Sequence, residues 1–169
     1  MDLVAYAQTM SRYNCWMNER LYECCATLSD ADRKADRAAF FRSIHGTLNH
    51  ILLADRIWLG RFLGREFEAE SLAQELYSNF SELTRERRFT DQEIANWVET
   101  LSPALLAETL TYTSVVNPQK RSYPMWVALA HFFNHQTHHR GQLTTLLSQS
   151  GIEPGVTDLV WLPGLQLRA

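Results

Sequence analysis

Residues 131–139 contain four of the chain's six histidines, and they lie in a segment whose apolar residues recur at helical spacing. At about 100° per residue, Phe132 and Leu143 fall on one face of such a helix, and His135 and His139 fall on the same face. A helix with this pattern has to pack its apolar face against other elements. The segment therefore predicts a helical domain with two histidines directed into it.

His131 and His138 fall at the border of that face and are expected to point less directly inward. His135 and His139 are four residues apart, so both can turn a ring nitrogen toward one cation, which is why metal sites on helices use this spacing. Two ligands alone do not make a site. A third ligand has to come from another element.

A second helix, predicted over residues 42–63, carries His50 on an apolar face beside small neighbours, whereas His45 points elsewhere. This position predicts that His50, His135 and His139 converge on one divalent cation and leave a fourth coordination position open, as catalytic sites do. The other interpretation is that each histidine is a hydrogen-bonded residue of the core.

The histidine segment also limits the chemistry. Residues 135–139 share the frame of the HExxH motif of zinc proteases, but Gln136 stands in the place of the catalytic glutamate. Because glutamine cannot accept a proton from metal-bound water, a protease of that class is disfavoured. No Asp or Glu falls beside the histidines, which argues against an iron site of two histidines and one carboxylate. The sequence has no G-x-S-x-G motif and no glycine-rich phosphate loop.

With 169 residues, the chain is expected to form one domain over residues 1–169. Its net charge of −3 is spread without long charged runs, which argues against binding to nucleic acid. The arginine-rich segment 85–88 is predicted to be a solvated face or a turn. No apolar run approaches the roughly 20 residues that a bilayer requires, and the cysteines lack CxxC spacing. We expect a cytoplasmic protein with reduced thiols and no membrane partner.

Apolar periodicity and capping residues predict four helices. They are expected over residues 3–28 and 42–63, from Thr90 or Asp91 onward, and from Pro124 to Gly151. The connection over residues 64–90 is too long for a helical hairpin and is expected to cross one end of a bundle, with a short helix over 71–80. Residues 109–116 and 120–123 predict a β-hairpin. The expected fold class is all-α, a four-helix bundle with a long crossover between helices two and three and a small β-hairpin before helix four.

Three polar residues lie on faces that should be buried. Asn14 and Asn18 fall within the apolar face of the first helix, where an amide without partners costs about 1–3 kcal/mol. Either they line a polar pocket or they bond to a neighbouring helix or a loop carbonyl. Arg61 returns to the face of His50 after three turns. It is either at the mouth of a pocket, where it meets an anionic group, or a surface arginine.

At these residues the sequence resembles the DinB family, the damage-inducible, YfiT-like proteins, over nearly the whole chain. The matching segments are YNCWMN at residues 13–18, His50 with ADRIW at 54–58, the NHxxHHRGQ signature within 131–142, and Gly151 with Asp158 and Leu159. The resemblance implies a four-helix bundle with a long crossover, a bound divalent metal, commonly zinc or nickel, and often a homodimer. Matched residue by residue, it implies His50, His135 and His139 as the metal ligands.

For function, the resemblance implies a thiol S-transferase or a related detoxification or stress enzyme that acts with a low-molecular-weight thiol. The cation would bind the thiol as thiolate and present it to an electrophile. Asn14, Asn18 and Arg61 would then position the cosubstrate. The alternative is a non-catalytic metal-binding stress or partner-interaction protein, because no acid or base is identified. A metal-dependent hydrolase is a weaker alternative.

Overall fold

The computed structural model describes residues 2–65, 67–115 and 117–166. This part of the chain contains six α-helices and a two-stranded sheet. In chain order the elements are α1 (Leu3–Ala26), α2 (Asp30–Lys34), α3 (Ile44–Phe62), α4 (Phe80–Val98), α5 (Pro103–Ala107), β1 (Thr109–Thr113), β2 (Lys120–Pro124), α6 (Met125–Gln149) and a short 3₁₀ helix (Leu159–Trp161). Among the described helices, none is both long and apolar enough to cross a membrane.

The four long helices, α1, α3, α4 and α6, pack around the hydrophobic core. Helix α1 contacts α4 and α6, and α3 contacts the same two helices. Leu48 and Leu52 of α3 and Phe132 and Phe133 of α6 are buried in this core. For Phe132, this agrees with the apolar face predicted from the sequence. The mostly helical class is confirmed. The exact four-helix-bundle layout stays a prediction.

Side-chain caps fix where three of the long helices begin. Asp2, Ser43 and Asn79 each accept a hydrogen bond from a backbone N–H of the first turn. The Asn79 cap corrects the predicted start of the third helix, because α4 begins directly after it and holds Thr90 and Asp91 buried in its interior. Although the sequence around them resembles a capping box, the Asp91 carboxylate binds side chains instead of an N-terminal N–H.

The connection between α3 and α4 forms turns and bends, and the short helix expected over residues 71–80 is absent from its described part. Asn49 of α3 fixes its path. The Oδ1 atom of Asn49 accepts from the backbone N–H of Leu76 at 2.9 Å and of Tyr77 at 3.0 Å. A helix would have used such N–H groups internally. The connection instead passes over α3 and brings the carbonyl of Leu72 to the His50 ring.

The predicted β-hairpin is present. Strands β1 and β2 pair antiparallel, in a register that runs from Thr109 opposite Pro124 to Thr113 opposite Lys120. Leu110 of β1 is buried, and the chain passes from β2 directly into α6. The hairpin therefore sets where the histidine-bearing helix begins.

The arginine-rich segment 85–88 is a solvated face at Arg85 and Arg88, as its composition predicted, but not at Arg87. Arg87 is only 2% exposed, and its guanidinium lies 2.6 Å from Asp55 of α3 and 2.8 Å from Asp91 of α4. Arg85 is exposed, as expected. Through Arg87, the segment ties α4 to α3 inside the core.

Candidate metal centre

Three imidazoles from two helices meet at one cavity. His50 comes from α3, and His135 and His139 come from successive turns of α6. The Nε2 atom of His139 lies 3.2 Å from that of His50 and 3.0 Å from that of His135. In a tetrahedral site with metal–nitrogen bonds of about 2.0–2.1 Å, neighbouring ligand nitrogens are about 3.3 Å apart. The three histidines could therefore hold one metal ion.

Hydrogen bonds to the other ring nitrogens fix the protonation of two of these imidazoles. The Nδ1 atom of His50 lies 2.7 Å from the carbonyl oxygen of Leu72, and that of His139 lies 2.8 Å from Oε1 of Gln142. Both oxygens can only accept, so each Nδ1 carries the proton and each Nε2 presents a lone pair. Lone pairs that face each other repel unless a cation lies between them. Metal-binding histidines have outer hydrogen bonds of this kind.

Burial keeps the three imidazoles neutral. Burial, together with the neighbouring His139, lowers the pKa of His50 to about 4, although the hydrogen bond to Leu72 acts in the opposite direction. Burial and the adjacent histidines lower the pKa of His135 to about 3, and burial also lowers the pKa of His139. Because a metal ion binds only the neutral imidazole, all three rings have the required form at neutral pH.

A cavity of about 650 Å³ opens beside the three histidines. Its walls are mostly apolar and include Phe40 and Phe41 from the loop before α3, Leu72 from the α3–α4 connection, and Val115 from the end of the hairpin. Glu70 supplies a carboxylate at the same cavity. Cavities of this size accommodate small organic molecules.

Phe41 covers the His50 ring. The two rings are stacked, with centroids 3.7 Å apart and an interplanar angle of 16°. The loop that carries Phe41 can approach α3 so closely because Gly46 has no side chain, and a Cβ at that position would lie 2.2 Å from the Phe41 carbonyl oxygen. Gly46 therefore determines how the wall of the cavity is placed on His50.

Replacing Gly46 with alanine is expected to lower the free energy of unfolding by about 1–3 kcal/mol, because the Phe41 loop has to move away from α3. Urea denaturation measures the change. Gly141→Ala in α6 is the matched control, since nothing lies within 4 Å of a Cβ there, and it should stabilise the protein by about 0.5–1 kcal/mol. Equal stability of the two variants would contradict the close approach.

The remaining histidines lie around the site without joining it. His45 is buried, and its Nε2 lies 2.9 Å from the carbonyl oxygen of Tyr77. His131 is exposed and packs against Trp58. His138 is exposed at the edge of the cavity. All three positions agree with the helical faces on which the sequence placed them.

Asn14 and Asn18 lie in a second buried cluster, away from the residues that line the histidine cavity. Asn14 donates to Asp91 at 2.8 Å, and Asn18 donates to both oxygens of the same carboxylate at 3.0 and 3.1 Å. Arg140 donates to Oδ1 of Asn14. Both amides therefore bond to a neighbouring helix, which was one of the two predicted alternatives. Neither of them lines the histidine cavity, so they would not contact a ligand there.

Arg61 also stays apart from the cavity. Its guanidinium lies 4.5 Å from the ring centre of Trp58 and 4.0 Å from that of Tyr112. Such stacking on aromatic faces is favourable for arginine and holds the charge at the hairpin. The structure therefore brings together the three predicted metal ligands and leaves Asn14, Asn18 and Arg61 elsewhere.

Gln136, which replaces the glutamate of the HExxH frame, is fully buried and faces away from the metal ligands. Its Nε2 donates to Oδ1 of Asp55 at 2.9 Å. The residue thus links α6 to the Asp55–Arg87 ion pair. This position agrees with the conclusion that Gln136 supplies no base for a hydrolytic reaction.

Two groups that orient the ligands were missed from the sequence. Gln142 follows His139 by three positions. Side chains at this spacing on a helix contact each other, so this contact could have been predicted from the sequence. The carbonyl of Leu72 is a backbone group in an irregular connection and has no sequence signal. Phe41, which covers His50, likewise acts from a loop whose path the sequence did not indicate.

Comparisons with known proteins identify the family of this chain. Residues 3–167 match the profile of the DinB family. Protein DinB of Bacillus subtilis is 27% identical over 169 aligned residues, which cover 90% of this chain and 91% of that protein. The crystal structure of a DinB-like protein from Bacillus cereus has a similar fold, with a TM-score of 0.57 and 18% identity over 89% of this chain and 91% of that one. Since the family profile spans nearly the whole chain, the resemblance read from the motifs is confirmed, and the protein belongs to the DinB family.

Proposed function

We propose that the protein is a divalent-metal-dependent thiol S-transferase, or a related detoxification or stress enzyme, with His50, His135 and His139 as metal ligands. The observation that supports this most is the meeting of three neutral Nε2 atoms beside a cavity of about 650 Å³. Three protein ligands leave a position for an exogenous one, as in catalytic sites. Zinc or nickel is the proposed metal, since both accept imidazole ligands.

A metal held by the three histidines would lower the pKa of a bound thiol, so that the thiolate forms at neutral pH. The protein's own groups orient two of the imidazoles, because Leu72 fixes the tautomer of His50 and Gln142 fixes that of His139. The cavity has room for a low-molecular-weight thiol and an electrophile. In the transfer, sulfur forms a bond to the electrophilic carbon, the leaving group departs with its bonding electrons, and the thiol proton passes to solvent.

We expect one molecule of 2-mercaptoethanol to bind saturably to the cobalt-loaded protein and to produce an absorption band from sulfur ligation. Ethylene glycol, which has the same size but no sulfur, is expected to produce none, because the soft thiolate is the preferred ligand. The His135→Ala variant should give no band, whereas His131→Ala, whose ring is exposed and does not line the cavity, should behave as wild type. The proposal fails if a broad panel of thiols and electrophiles gives neither binding nor turnover.

A second candidate is a metal-binding stress or partner-interaction protein without turnover. It is favoured by the scarcity of acid–base groups, since Glu70 is the one carboxylate among the described residues that line the cavity. The same scarcity makes a metal-dependent hydrolase the weakest of the three. Catalysis above that of the free metal, lost in the ligand variants, would reject the non-catalytic candidate.

We further propose that the protein acts in the cytoplasm and that it forms a homodimer, as the family resemblance implies for the dimer. Val160 and Trp161, which are adjacent in the chain and 67% and 60% exposed, offer apolar surface for such contacts. Light scattering of the purified protein measures the oligomeric state.

A further inference from the structure

Phe40 is an exposed aromatic residue at the edge of the histidine cavity. It is 83% exposed, more than any other large apolar side chain among the described residues. A single exposed phenylalanine needs no explanation by itself. What distinguishes Phe40 is that it helps to line the cavity and that the loop which carries it contains several hydrogen bonds of its own.

This loop has an unfavourable backbone that is held by specific bonds. Ala38 and Arg42 have φ values of 52° and 65°, in the left-handed region that residues with a side chain seldom adopt. Asp36 accepts from the Ala38 N–H at 2.9 Å and from the Arg42 guanidinium at 2.9 Å, and the Arg37 N–H donates to the Arg42 carbonyl at 2.7 Å. Such conformations persist only where the surroundings enforce them, and they concentrate at ligand sites.

The two phenylalanines of the loop have different surroundings. Phe41 is stacked on His50, and its backbone lies close to α3 because Gly46 has no side chain. Phe40 contacts Phe41 edge to face, with ring centres 4.8 Å apart and an interplanar angle of 72°, and its other surface is open. The loop therefore uses one ring to cover a metal ligand and presents the next ring to whatever enters the cavity.

The side chains around the cavity favour an apolar compound. Leu72, Ala73 and Val115 continue the apolar surface of the two phenylalanines, and Glu70 adds a negative charge. Of the residues that the structure describes, no arginine or lysine lines the cavity. The main positive charge would therefore come from a metal held by the three histidines, and the wall of the cavity would contact the apolar part of a ligand.

We propose that this cavity takes an electrophile with an apolar body, and that Phe40 is the residue that contacts the ring or alkyl part of this body. That the compound is an electrophile rests on the proposed function, because it assumes that the bound compound accepts the thiol. The binding of an apolar molecule does not depend on that assumption. Phe40 would then be a specificity-determining residue of the site.

The test measures the fluorescence of N-phenyl-naphthylamine, an uncharged aromatic probe, as it is titrated into the metal-loaded protein. We expect saturable binding of one probe molecule. Phe40→Ser should weaken the binding by about 5- to 10-fold, which corresponds to the loss of contact with one ring face. Phe89→Ser is the matched control, because Phe89 is also exposed, at 59%, but lies on α4 at a different cavity. This variant should bind the probe as wild type does.

Absence of saturable binding, or an equal effect of the two serine variants, would each overturn the proposal. The test involves no thiol and no turnover. If the probe binds as expected while no thiol does, the transferase fails and the apolar site stands. If thiols bind while the probe does not, the apolar site alone is rejected.

Discussion

Replacement of His135 by alanine is expected to lower the affinity for zinc or nickel by more than about 100-fold. Loss of an outer hydrogen-bond partner alone typically lowers metal affinity by about 10- to 100-fold, and loss of a ligand removes a coordinate bond outright. His50→Ala and His139→Ala should have the same effect, because each removes one of the three Nε2 atoms that meet at the site. Elemental analysis and competition with a chromophoric chelator measure the change.

Two other histidines of the same helix provide matched controls. His131→Ala and His138→Ala remove the same chemical group from exposed positions a turn or less away from the ligands. They should leave metal content and affinity within about twofold of wild type, as surface substitutions usually do. Metal content that is unchanged in all three ligand variants would refute the site. An equal loss in the control variants would show that metal binds to surface histidines.

Helical geometry explains why the centre of the site was predictable. The i and i+4 spacing of His135 and His139 and their common face with Phe132 follow from the sequence and the period of the helix. His50 could be assigned from its apolar neighbours on α3. All three side chains are on regular elements, whose faces are set by local rules. The sequence therefore contained the orientation of each ligand, although not the distance between the two helices.

The surroundings of the site were not predictable for a related reason. The α3–α4 connection has no regular period, and its path depends on Asn49, which is remote from it in the chain. The Leu72 carbonyl that orients His50 is a backbone group, so any residue could supply it. Asn14 and Asn18 were recognised as unusual in an apolar face, but their partner Asp91 lies more than 70 positions away. Contacts across such separations have no local signal.

The prediction that Arg87 is exposed was wrong, although the helical spacing of its neighbours indicates that it is buried. The run of arginines at 85–88 suggested a solvated surface, yet Arg87 shares a helical face with Leu83, Thr90 and Ile94, all of which are buried. Once α4 is known to begin at Phe80, the period of the helix places Arg87 inward. The wrong helix start therefore caused the wrong assignment of the arginine.

Arg87 joins two buried carboxylates into one network. Its guanidinium lies between Asp55, which is also bonded to Gln136 of α6, and Asp91, which is also bonded to Asn14 and Asn18 of α1. All four long helices thus contribute to a single set of polar contacts inside the core. Ion pairs of this kind add little net stability when intact, but one that loses a partner leaves an uncompensated buried charge.

Replacement of Arg87 by methionine is therefore expected to lower the free energy of unfolding by about 3–5 kcal/mol, as for other buried pairs that lose one partner. The free energy of unfolding of a domain is typically about 5–15 kcal/mol, so this loss is a large fraction of the total. Arg85→Met is the control. Arg85 pairs with Glu86 at 3.2 Å on the surface, and its loss should cost less than about 1 kcal/mol. Equal urea midpoints for the two variants would contradict a role for the buried network.

The pH dependence of the free energy of unfolding shows whether Arg87→Met acts by leaving a carboxylate without its partner charge or by disturbing the packing of the core. Burial raises the pKa of Asp91 to about 6, outweighing the attraction of Arg87. A carboxyl whose pKa is higher in the folded chain than its unfolded value of about 3.9 contributes stability that is full below that value and is lost as the pH rises through the folded pKa. Arg87→Met removes the attraction and raises the pKa of Asp91 further. Its deficit relative to wild type should thus be constant below about pH 6 and grow as the pH rises above that value, whereas a deficit from packing alone would not vary with pH.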